Sequence, residues 1–139
     1  MEGRSATAIF MLDTTAVSQA LRNPQGAVAA RFGETLPGQV VTSAIAVGEL
    51  RHIVAKAGAR ALEVRLDQFL DYVPIMSVGA SVAATYGSVR AQLAEKGSLI
   101  GANDLCIAAH ALDLGVAVVT DNTREFARVP GLMVENWQR

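Results

Sequence analysis

The sequence predicts an α/β fold: a short, mostly parallel sheet of four to five strands, flanked by about six to seven helices. Two patterns lead there. Short β-like runs alternate with longer stretches of helical spacing, and the β-like runs are continuously apolar rather than alternating. A strand that is apolar on both sides needs helices on both faces of its sheet, which is the signature of parallel β-α units.

The elements follow in order. Ala8–Leu12 is a continuous apolar run and reads as a buried strand, ended by Asp13-Thr14-Thr15, with Thr14 or Thr15 placed to cap a helix through Leu21. Asn23-Pro24 stops that helix, and a second covers Gln25–Glu34. After the Leu36-Pro37-Gly38 turn, Gln39–Thr42 forms the second strand. Ser43 caps a helix over Ala44–Ala57 that carries Glu49 and ends at Gly58. Leu62, Leu66, Phe69 and Leu70 mark a helix from about Ala59, and Tyr72–Met76 is a short third strand. Ser81–Glu95 is helical, with Val82, Tyr86, Val89 and Leu93 on one stripe. A loop over Ser98–Asn103 precedes a helix opened by Asp104 and closed by Gly115 at its C′ position. Val116–Thr120 is the clearest strand and ends on Asp121. A short helix over Asn122–Ala127 and a strand at Leu132–Val134 complete the chain.

Length and composition narrow the function. The 139 residues suit one domain, and 51% hydrophobic residues suffice for a core without disulfides. Twelve Lys and Arg against thirteen Asp and Glu exclude a broadly basic nucleic-acid face, though not a local basic rim. The single cysteine, Cys106, falls in a helical apolar pattern as a small core residue; it excludes a disulfide framework and points to a reducing cytoplasm. Neither a secretory leader nor an apolar run of membrane-spanning length is visible, so a soluble, cytoplasmic protein is expected.

Four acids stand at element ends beside apolar runs: Asp13, Glu49, Asp104 and Asp121. Ligands of open parallel sheets bind beyond the carboxyl ends of the strands, where Asp13 and Asp121 stand. Each acid alone has an ordinary explanation, as a strand end, a solvated helix residue, a helix N-terminus or a turn. Carboxylates gathered without basic partners repel one another until a cation neutralises them. Oxygen donors suit Mg²⁺ or Mn²⁺, whereas His52, His110 and Cys106 lack the spacing of a zinc site. Ser18, Ser43, Ser77 and Ser98 show no nucleophile elbow. Asp13-Thr14-Thr15 lacks the acidic pair or Asp-x-Asp of phosphotransferring aspartates. Arg51 and Arg124 read as solvated, His110 as partly outward-facing, and Trp137 as packing down the C-terminal segment.

In series, these segments resemble the PIN-domain ribonucleases. Phe10–Ser18 is similar to their first motif, Ser43 through Glu49-Leu50-Arg51 to the second, and Gly101–Ala109 to the third. Val119–Phe126 followed by Val129-Pro130-Gly131-Leu132 resembles the C-terminal signature of VapC toxins. The resemblance implies a PIN-like fold and a metal-dependent endoribonuclease, the toxin of a type II toxin–antitoxin pair. It further implies Mg²⁺ or Mn²⁺ at Asp13, Glu49, Asp104 and Asp121, a homodimer, a VapB-like antitoxin covering the acidic groove, and a transfer- or ribosomal-RNA loop as substrate. DNA would be contacted only through the antitoxin. Thr15 departs from the Asn common at that place in the family, and the fourth acid aligns either at Asp121 or, shifted by one, at Asn122. The alternative is a PIN fold without catalysis that binds RNA or protein.

Overall fold

The computed structural model describes residues 7–138. Five strands form one parallel sheet in the order β3-β2-β1-β4-β5, with β1 at Phe10–Leu12, β2 at Val40–Ser43, β3 at Ile75–Met76, β4 at Ala117–Val119 and β5 at Val134–Glu135. Seven helices connect them: α1 Thr14–Arg22, α2 Ala27–Gly33, α3 Ala44–Ala57, α4 Arg60–Leu70, α5 Ala80–Glu95, α6 Ala102–Leu114 and α7 Thr123–Phe126. This is the expected α/β class, with strand and helix numbers in the expected range.

Register explains the uninterrupted apolar strands. Met11, Val41 and Val118 point into one core with Val89, Leu93, Leu105, Ala108 and Phe126. Their neighbours Leu12, Val40 and Val119 point into the other, with Val17, Leu50, Leu66, Phe69 and Trp137. Successive strand residues face opposite sides, so a sheet covered on both faces needs apolar residues at every position. No helix among the described residues is long and apolar enough to cross a membrane.

The chain runs outward from β1 through β2 to β3, then returns to place β4 on the other side of β1. The strand order therefore reverses between β1 and β4, and in such sheets ligands bind in the crevice beyond the carboxyl ends at that point. Asp13 follows β1 there, its backbone N–H donating to the Val119 carbonyl at 3.0 Å.

Several local expectations are corrected. Asp13 itself caps α1, accepting from Ala16 N–H, so neither Thr14 nor Thr15 does. A carboxylate outranks a threonine at that position and carries the charge the helix N-terminus favours. Helix α6 begins at Ala102 with Gly101 as its N-cap, which puts Asp104 in the first turn rather than at the start. The third strand pairs only over Ile75–Met76, because Pro74 cannot donate to a ladder and Tyr72 is exposed. His110 is buried, 1% exposed, rather than outward-facing. Its Nδ1 meets Ser43 Oγ at 2.9 Å and its ring bonds the Ser77 backbone, so the polar tip is satisfied inside. Gly58 and Gly115 close α3 and α6 at φ 62° and 71°, as the sequence predicts.

Candidate metal centre

Asp13 is 1% exposed and its carboxylate is fixed by three donors. Thr15 Oγ1 at 2.7 Å and Ala16 N at 2.9 Å donate to Oδ1, and Thr120 Oγ1 donates to Oδ2 at 2.6 Å. Burial pushes its pKa up, while the bonds from Thr120, Ala16 and Thr15 pull it back. The Thr120 hydroxyl also accepts from Asn122 N–H at 2.8 Å, and Thr15 Oγ1 accepts from Asp121 N–H at 3.0 Å. Two threonine hydroxyls thus tie the end of β1 to the loop after β4. Thr15 fills its part of this bridge by donating to Asp13 and accepting from Asp121 N–H.

Glu49 lies one and a half turns into α3 and is half-buried. The Thr14 hydroxyl donates to its Oε1 through a short hydrogen bond, and Asn103 Nδ2 donates to Oε2 at 2.9 Å. Glu49 is thereby aimed between the start of α1 and the start of α6.

Asp104 supplies the electrostatic measure of the site. Burial pushes its pKa up first; hydrogen bonding to Glu125, and then the charges of Glu125, Asp13 and Glu49, push it further, to about 7. Glu125 moves the other way: it is lowered chiefly by its bond with Asp104, helped by Gly101 N–H, Asn122 and Arg128, against partial burial. A half-protonated Asp104 donating to an ionised Glu125 accounts for both directions. Four carboxylates, Asp13, Glu49, Asp104 and Glu125, therefore share one field.

Glu125 is the residue that reading the sequence missed. It lies in α7, held over the N-terminus of α6 by Gly101 N–H donating to Oε1 at 3.3 Å. The only clue was its place four residues past Asp121, in the same C-terminal segment. Asp121 lies one position beyond Thr120 and is exposed; its tie to the site is through its backbone N–H, and Asn122 also engages through its backbone.

The ion pairs between described residues join Arg31 to Glu135, Arg51 to Asp67 and Arg60 to Glu63, none of them at this centre. Arg51 is thus paired on the surface rather than free. Among the described residues, no group of three or more His, Cys, Asp or Glu forms a ready-made ion cage. The carboxylates are instead engaged with hydroxyl and amide donors. Asp13 Oδ1 already accepts two bonds, but Asp13 Oδ2 and the two Glu49 oxygens each accept one from these donors and keep a lone pair for ligation. An all-oxygen donor set with uncompensated negative charge fits a hard divalent cation.

The PIN-domain family profile matches residues 10–132. The chain belongs to the PIN-domain family. Within it, this PIN domain is similar to ribonuclease VapC2 of Haemophilus influenzae, 35% identical over 92% of the chain and 97% of that protein. It is also 35% identical to the tRNA(fMet)-specific endonuclease VapC of Shigella flexneri, over 92% of the chain and 97% of that protein. In three dimensions it matches a DNA-bound VapBC complex of Salmonella typhimurium with a TM-score of 0.87 and 34% identity, covering 94% of this chain and 99% of the other. In this PIN domain Asp13, Glu49, Asp104 and Glu125 share one electrostatic field, whereas Asp121 is exposed and joins through its backbone N–H.

Proposed function

We propose that this PIN domain is a metal-dependent endoribonuclease, the toxin of a VapBC-type pair, with Mg²⁺ or Mn²⁺ held by Asp13, Glu49, Asp104 and Glu125 and with Asp121 supporting from the rim. The observation that carries the metal reading is the gathering of Asp13, Glu49, Asp104 and Glu125 from four elements, near enough that burial and the neighbouring acids push the Asp104 carboxyl up to about 7. A site that destabilises its own carboxylates is built to receive positive charge. The endoribonuclease reading is supported by the names of relatives at 35% identity across nearly full length.

Bound there, such an ion would supply positive charge to neutralise the carboxylates and the phosphodiester and to lower the pKa of a water. The residues themselves do the rest. Thr15, Ala16 and Thr120 lock Asp13 so that its orientation is set before a ligand arrives. Thr14 and Asn103 aim Glu49, which completes ligation or accepts the proton of the attacking water. Water adds to phosphorus, the bond to the leaving 3′-oxygen breaks, and that oxygen takes a proton, giving a 5′-phosphate and a 3′-hydroxyl. A VapB-like antitoxin covering the crevice would silence it, and a homodimer is the proposed assembly; the VapBC complex among the structural matches supports the antitoxin.

The test is cleavage of total RNA by antitoxin-free protein with Mg²⁺, Mn²⁺ or EDTA, beside Asp13→Ala and Asp104→Ala. Discrete fragments that need metal and vanish in both variants are expected. Equal cleavage by variants and wild type would assign the activity to a contaminant.

A further inference from the structure

Beside the acids, a cleft of about 470 Å³ runs along α3, lined by Thr14, Ile45, Gly48, Glu49, His52 and Asn103 among others. Thr14, Glu49 and Asn103 belong to the hydrogen-bonded acidic centre, so cleft and centre share a wall. Gly48 contributes to this wall from within α3. A glycine inside a helix weakens it relative to alanine, and such a glycine calls for a reason. Packing does not supply one: a Cβ built on Gly48 meets nothing within 4 Å. Gly87 in α5 is equally unencumbered; what sets Gly48 apart is that its missing side chain widens the cleft beside Glu49.

We propose that this cleft is a nucleobase subsite, receiving the base next to the scissile phosphate of a single-stranded RNA, with Gly48 kept small to admit it and His52 at its exposed edge. The inference rests on the nuclease reading. The lining contains no Lys or Arg to hold a phosphate, while Ile45, Ile53 and Ala44 offer apolar walls and His52 and Asn103 offer polar edges. That combination suits an uncharged flat group. A peptide strand is less suited, because it pairs with an exposed strand edge, whereas this lining comes from residues of helices α1, α3 and α6. Contiguity with Glu49 makes the occupant the group next to the reacting linkage.

The test compares wild type, Gly48→Ala, Gly48→Leu and His52→Ala on a short single-stranded RNA spanning a linkage mapped from total RNA, and on the same RNA with an abasic residue beside that linkage. Mn²⁺ titration calorimetry and thermal melting accompany the kinetics. Gly48→Ala should melt about 2–4 °C higher, since it only strengthens the helix. Gly48→Leu should bind Mn²⁺ like wild type yet raise KM at least roughly fivefold, the scale of one lost base contact. The abasic RNA should penalise wild type by a similar factor and Gly48→Leu hardly at all. Unchanged KM in Gly48→Leu, or equal abasic penalties in both proteins, would overturn the subsite while leaving the nuclease intact. Unchanged cleavage together with lost inhibition by an antitoxin would give the cleft to that protein instead. Absence of metal-dependent cleavage by wild type would remove the nuclease reading and this inference with it.

Discussion

Thr120→Val probes the carboxylate on which the centre is built. Valine matches threonine in shape, so no cavity is created, and Thr120 is 1% exposed. The substitution deletes the hydroxyl that donates to Asp13 Oδ2 at 2.6 Å and accepts from Asn122 N–H at 2.8 Å. Losing a hydrogen bond to a buried charged group costs about 1.5–3 kcal/mol, and leaving the Asn122 N–H short of a partner adds roughly 1 kcal/mol. A loss of about 2.5–4 kcal/mol is therefore expected for metal-free protein in urea denaturation with EDTA. Burial already raises the Asp13 pKa and the Thr120 bond opposes that rise, so the variant's pKa should rise further and its stability deficit should grow as rising pH ionises the carboxylate. Excess Mn²⁺ should recover part of the loss, because the freed oxygen gains another positive partner. Thr120→Ser, which keeps the hydroxyl, should stay within about 1 kcal/mol of wild type. A Thr120→Val protein within about 0.5 kcal/mol of wild type in EDTA would refute the view that this bond restrains a buried charge.

Other outcomes follow from neighbouring residues. His110 has its pKa lowered from 6.5, first by burial, so the unfolded chain binds its proton more readily; stability should be intact above pH 6.5 and decline as pH falls below it, and His110→Gln should flatten that slope in pH-dependent denaturation. Asp104 is raised to about 7, so its contribution to metal-free stability is present in acid and lost as pH rises towards 7. Mn²⁺ must displace that proton, and calorimetric affinity should climb as pH approaches 7 and then level off. Phe126 is fully buried beside Glu125 in a four-residue helix; Phe126→Ala should cost about 3–5 kcal/mol in denaturation and weaken Mn²⁺ binding by releasing Glu125.

The fold was legible because its apolar patterning is simple. Met11-Leu12, Val40-Val41 and Val118-Val119 each serve both cores, the pattern of a parallel sheet with helices on its two faces. Gly58 and Gly115 marked helix ends because those ends need a left-handed residue. Asp13, Glu49 and Asp104 were legible as acids beside apolar runs, at the end of β1 and in the opening turns of α3 and α6, where side chains from distant segments converge. Glu125 was not, since a glutamate in the exposed-looking Thr123–Phe126 turn carries no local sign of its partner. Its role comes from α7 lying across the N-terminus of α6, a contact between distant elements that periodicity cannot show. His110 was misjudged for a related reason. Helical spacing gives a direction, but its burial depends on Ser43 and the Ser77 backbone arriving from other parts of the fold.

Titration of metal-free protein with Mn²⁺ by calorimetry, for wild type and for Asp104→Asn, Glu125→Gln and Asp121→Asn, tests the acidic centre most directly. Saturable binding by wild type, weakened at least roughly tenfold in the first two variants and to a smaller extent in the third, is the predicted result. Failure of wild type to bind Mn²⁺, or undiminished binding by Asp104→Asn, would contradict a cation site at the β1–β4 crevice.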